Sequence, residues 1–184
     1  MMRKTLATIG LTTLALQAWG YWEDSFGPNH LPDRIPVHFD AAGNPNGWGS
    51  PSSLIFLPVL SLALFLFLTL IARLPSMFNY PVEVTEENRD TLQRLTVDLL
   101  AWMRTELVCT FALVQWMVSH LARHPEPVMF SFIFIAPLGM LLATVVWFIV
   151  AILRAGPVHR NLDDQPLNKN HQLLTSRKKG PGTQ

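Results

Sequence analysis

Two groups of residues have the types and spacing to do chemistry. His38 and Asp40 stand two apart, so on a strand they point to the same side. Joined by His30, Asp33, Glu23 or Asp24, they offer imidazole and carboxylate donors to a metal. No zinc-type spacing accompanies them, and such side chains more often hold a loop together through hydrogen bonds to its backbone. The reading is therefore no metal and no cofactor. The second group is Asp98, Arg104 and Glu106, three charges in an otherwise apolar stretch. At about 100° per residue, Asp98, Trp102, Thr105 and Glu106 share one helix face, with Arg94 one turn before Asp98. Arg104 points elsewhere, nearer Gln115. Asp98 and Arg104 read as interfacial charges, Arg104 snorkelling to the headgroups. Glu106 lies deeper, with roughly 22 Å of helix between it and Leu121. A carboxylate there must face other helices, take a partner or bind a proton. Neither group completes a catalytic constellation, so an enzyme is not expected. Gly43, Gly47 and Gly49 suggest a phosphate loop, but no Lys-Ser/Thr follows them.

Four long apolar stretches must position these groups. Charged residues make up 15% of the 184 residues, against roughly 25% in soluble domains. The deficit sits in those stretches, which points to an all-α, multi-pass membrane protein. A net charge of +1 argues for no direct nucleic-acid contact, and the sole cysteine, Cys109, excludes an intrachain disulfide.

The first stretch follows Arg3 and Lys4 and runs from Leu6 to about Trp19. Trp19, Tyr21 and Trp22 read as an interfacial belt. Leu16-Gln17-Ala18 lacks a small-x-small cleavage pattern, so an uncleaved helix is expected. Ser50 is set to cap the second span, Pro51 to about Ala72, with Pro51 at its first position and Pro58 kinking its second turn. Thr85 is set to cap a third helix, Glu86 and Glu87 favouring the positive end of its dipole. That helix continues to about Leu121, too long for a span alone. A short turn at 122–127 leads to the fourth span, about Val128 to Leu153, which Pro137 interrupts and in which Ala136, Gly139 and Ala143 offer a small-residue seam. Residues 1–153 thus form a four-helix domain, and 154–184, with Arg177 to Lys179, a disordered tail.

Between the first two spans lies a Pro/Gly-rich loop at 23–50. Ile35, Val37 and Phe39 alternate with Pro36, His38 and Asp40, the period of a short half-buried strand. Residues 42–47 read as turn chemistry, and Trp48 is placed to fold back over the strand as a packing or interface anchor. Its glycines are expected to supply backbone conformations closed to other residues. Lys and Arg concentrate at the amino end, in the connector at 73–94 and in the tail, which puts both termini in the cytoplasm and the loop outside.

The segment IPVHFDAAGNPNGWGS resembles a signature of the small membrane domain of unknown function at the amino end of SdpI-type immunity proteins. FNYPVEVTEEN resembles that family's second signature, so the resemblance covers roughly residues 5–120. Pro51 stands where the family commonly has lysine. The resemblance implies a bacterial inner-membrane protein, and its best-known members protect against a secreted toxin and hold a repressor at the membrane. Those members carry further spans.

The expected function is a non-enzymatic sensor or immunity-like protein. Pro36, His38, Asp40, Gly43, Gly47, Trp48 and Gly49 would recognise an envelope peptide or protein. The connector residues Asn79, Tyr80, Pro81, Thr85, Glu86 and Asn88 are structural or dock a cytoplasmic protein. The lipid bilayer is a partner throughout, and a homo-oligomer stays open. The alternative is a small transporter or transporter subunit using Asp98 and Glu106.

Overall fold

A computed structural model describes residues 1–40, 44–124 and 130–156, those at 130–134 by their backbone alone. Gly43, the turn from 125 to Pro127, the expected start of the last span at Val128, and the tail from 157 onward lie outside the described residues.

Among the described residues the chain is mostly helical, with α1 (Met2–Phe26), α2 (Phe56–Ile71), α3 (Arg89–Arg123) and α4 (Phe130–Arg154). The helices at Pro51–Ile71 and Ile135–Arg154 are long and apolar enough to cross a membrane. Leu62, Leu66 and Phe67 of α2, and Leu138, Leu142 and Trp147 of α4, are exposed. An apolar exterior over two helices suits a bilayer, whose solvent is as apolar as these side chains.

The chain runs up and down between two ends. Arg3 meets Asp98, Leu6 meets Thr105, and Asp24 meets Ser119 and Arg123, so α1 and α3 run parallel. Gly10 lies against Phe65 and Arg104 meets Thr69, so α2 runs the other way. One end carries the segment between α1 and α2; the other carries the connector.

α3 packs against each of the other helices, and its composition explains why. It is the most polar of the four, and in an apolar solvent polar side chains turn inward to find partners. At 35 residues it is about 52 Å long, beyond the roughly 30 Å of a hydrocarbon core.

The expected outer loop contains a sheet. β1 (Ile35–Phe39) pairs antiparallel with β2 (Pro45–Gly49), Pro36 opposite Trp48. The strand at 35–39 was legible; its partner was not, because Pro45, Gly47 and Gly49 are poor strand formers that read as turn. Strict alternation also fails. Ile35 and Pro36 are both buried and Val37 is exposed, because the ladder shifts register between Pro36 and His38 and again before Phe39. Leu31, Ile35, Leu54 and Val118 form a buried cluster that seats the hairpin on the bundle.

The caps hold in part. Ser50 Oγ accepts from the Ser52 amide at 3.2 Å, and Pro51 opens the element, but as a 3-10 turn over Pro51–Ile55 before α2 begins. Pro58, the third residue of α2, therefore falls where a helix start leaves its N–H groups unpaired. Thr85 Oγ1 accepts from the Asn88 amide at 3.3 Å, and Asn88 Oδ1 accepts from the Thr85 amide at 2.8 Å. This reciprocal pair closes a turn, and α3 starts only at Arg89, so Glu86 and Glu87 precede the helix and Asp90 occupies its first turn. Gly139 and Ala143 are exposed, and among the described residues a Cβ at Gly139 would meet nothing within 4 Å, so the small-residue seam packs against none of the described helices at Gly139.

Candidate functional site

The hairpin is held by the residues that could have ligated a metal. The Asp40 amide donates to the Asn44 carbonyl at 2.9 Å. Asp40 Oδ1 accepts from the Asn44 amide at 2.8 Å and Oδ2 from Asn44 Nδ2 at 3.2 Å. His38 Nδ1 donates to Asn46 Oδ1 across the ladder. Among the described residues no group of three metal-ligating side chains converges, and Asp24 is engaged elsewhere. A Cβ on Gly47 would lie 2.7 Å from His38 Cβ. Gly47 is thus set by close cross-strand approach, not by a left-handed backbone, since neither Gly47 nor Gly49 has a φ between +20° and +160°. Trp48 is 55% exposed and stands opposite the buried Pro36. Val37 and Trp48 are both exposed, so the hairpin carries apolar surface close to its seated base.

The charges of α3 separate to three different neighbours. Asp98 takes Arg3 of α1 at 2.5 Å; Arg94, expected beside it, contributes only its carbonyl to Arg3. Arg104 goes to α2, donating to Thr69 Oγ1 at 2.9 Å with its guanidinium 5.0 Å from the centre of the Phe65 ring. It turns into the bundle and does not snorkel, and it parts from Gln115, which meets α1. Glu106 goes to α4. Its Oε1 accepts from Thr144 Oγ1 at 2.6 Å, and its buried Oε2 has no partner among the described residues. The expected single face of Asp98, Thr105 and Glu106 is thereby divided between α1 and α4. Glu106 also lines a cavity of about 310 Å³ with Cys109, Thr110, Leu113, Ala136, Pro137 and Met140.

At the connector, Asn88 is a structural staple. Besides pairing with Thr85, its Nδ2 donates to the Glu83 carbonyl at 2.9 Å. Tyr80 stacks edge-on against Phe78. Asn79, Pro81 and Glu86 are exposed.

The hairpin end of α1 and α3 holds a second cavity, of about 270 Å³, that no motif announced. Gln17, Gly20, Asp24, Gln115, Trp116, Ser119 and Arg123 line it among others. Arg123 Nη2 donates to Asp24 Oδ1 at 2.7 Å, and Ser119 Oγ donates to Oδ2. Gln115 Nε2 donates to the Gln17 carbonyl at 2.9 Å. One signal was available: Leu6, Gly10, Gln17 and Asp24 are buried along a single face of α1. Polar residues on that stripe, at the spacing of a packed seam, mark a polar helix interface.

The family described as Domain of unknown function (DUF1648), found in SdpI-like proteins, matches residues 26–62. The matched stretch runs from the last residue of α1 through the hairpin into α2. It includes IPVHFDAAGNPNGWGS and stops before FNYPVEVTEEN. No curated protein and no solved structure matches the chain.

Proposed function

We propose that this chain is a non-enzymatic, four-span bacterial inner-membrane protein, similar to SdpI-type proteins, that recognises an envelope peptide or protein at its hairpin end. The observation that carries the reading is Trp48. It is a large aromatic held 55% exposed on a strand whose base is seated by Leu31, Ile35, Leu54 and Val118. A protein leaves such a surface open where something covers it, and tryptophan is a common anchor of interfaces. Both termini lie in the cytoplasm in this reading, supported by the Lys/Arg distribution and by the alternating helix directions. The connector, with Asn79, Pro81 and Glu86 exposed, then faces a cytoplasmic partner.

The reading is tested by Trp48→Ala in cells, with membrane insertion measured alongside the response to envelope stress or toxin. Loss of the response in fully inserted protein is expected. An unchanged response contradicts it.

Glu106 favours a second reading, a transporter or transporter subunit. A buried carboxylate with one unpartnered oxygen beside a cavity can take a cation or a proton. It requires a pH-linked flux in proteoliposomes that Glu106→Gln abolishes; no flux from the parent protein ends it.

A further inference from the structure

We infer that the polar cavity between α1 and α3 binds an amide group, from a peptide backbone or a side-chain carboxamide, beneath the hairpin. The inference rests on the hairpin end being the recognition face and names the chemistry taken there.

The open groups define the ligand. Gln17 is 3% exposed, and among the described residues neither its Oε1 nor its Nε2 has a partner. Gln115 is equally buried. Its Nε2 donates to the Gln17 carbonyl, which settles which end of that amide is which and leaves Oε1 unpartnered. Among the described residues, two acceptors and one amino donor therefore remain unfilled in side chains that line the cavity. Buried polar groups are costly when unpaired, and a leucine at position 17 would fill the same space without that cost. Two such glutamines together mark a place that receives something.

Charge narrows the choice. Both oxygens of Asp24 are engaged, by Arg123 and Ser119, so the ion pair is closed and the unfilled groups are neutral. An ion would find no free counter-charge among the described residues that line the cavity. A hydroxyl would satisfy one acceptor. A primary amide presents two N–H donors and one carbonyl in one plane and can satisfy all three groups; a peptide unit satisfies two. The volume of about 270 Å³ lies just under the roughly 300–1,000 Å³ of whole-ligand pockets. It admits one residue of a chain whose remainder stays outside, near the hairpin. Arg123 Nη2 also approaches the Asn29 carbonyl at 3.4 Å, which ties the mouth of the cavity to the segment that leads into β1.

The test uses the full chain in lipid nanodiscs, with propionamide as the probe and methyl propionate, which has no amide, as its control. Binding is followed by saturation-transfer NMR. The amide is expected to bind saturably and the ester at least fivefold more weakly, a comparison that needs no variant. Gln17→Met keeps the side chain's length, and is expected to weaken amide binding about tenfold without lowering the unfolding midpoint. No saturable amide binding, equal binding of the ester, or Gln17→Met binding like the parent each overturns the inference. A cavity that holds water alone gives the first of these results, with a raised unfolding midpoint in Gln17→Met. If amide binding persists while Trp48→Ala leaves the cellular response intact, the recognition reading fails and the site stands.

Discussion

Two ion pairs join α1 to α3, one at each end, and they are built differently. At the connector end Arg3 reaches Asp98 at 2.5 Å, with the two side chains 44% and 19% exposed. At the hairpin end Arg123 reaches Asp24 at 2.7 Å, with Asp24 only 6% exposed and Ser119 on its other oxygen. The shorter pair is the weaker one. Water and headgroups screen Arg3, so its contact contributes about 0–1 kcal/mol. Asp24 has no such recourse: without Arg123 it is a buried charge holding one hydroxyl.

The two pairs also run in opposite senses. α1 carries the arginine at the connector end and the aspartate at the hairpin end; α3 carries the reverse. Antiparallel packing of the same helices would set Arg3 against Arg123 and Asp24 against Asp98. The charges therefore specify parallel packing by penalising its alternative. Parallel packing is what brings Val118 under the hairpin.

Substitutions that separate the two ends follow from this contrast. Arg123→Ala has the largest expected effect, about 2–3 kcal/mol. That is less than the roughly 3–5 kcal/mol of a fully buried pair because the arginine is partly exposed. It is read as a lower denaturation midpoint in nanodiscs. Gly47→Val comes next. Its Cβ would meet His38 Cβ at 2.7 Å, and overpacking of this kind costs about 1–3 kcal/mol, here confined to the hairpin and read as faster amide exchange over 35–49. Asn88→Ala removes the turn's reciprocal bonds and its link to Glu83, at about 1 kcal/mol. Arg3→Ala should change the midpoint by less than 1 kcal/mol, and less still at high salt. If Arg3→Ala proves as costly as Arg123→Ala, the contrast between the ends is lost.

Local patterns in the sequence carried the helices and the first strand. Leu54 to Ile71 could be little but an apolar helix, and Ile35 to Phe39 had a strand's period. β2 was hidden because Pro45, Gly47 and Gly49 signal turn whatever their partner, and only the opposing strand makes Gly47 a requirement of space. The polar contacts were hidden by distance along the chain. Asp24 finds Arg123 99 residues away and Gln17 finds Gln115 98 away. Neither pair has a local signature, and α3 alone does not reveal which neighbour each of its polar residues will meet. Glu106 was legible as a buried carboxylate because burial follows from its depth in an apolar run; that Thr144 would be its partner was not.

The central proposal is that the hairpin end is a recognition face with Trp48 as its exposed anchor. The most direct test places a photoreactive amino acid at position 48 and irradiates the native membrane. Mass spectrometry of the adducts should identify one discrete envelope peptide or protein. Crosslinks to lipid or to a second copy alone would contradict the proposal and leave Trp48 as an anchor to the membrane surface.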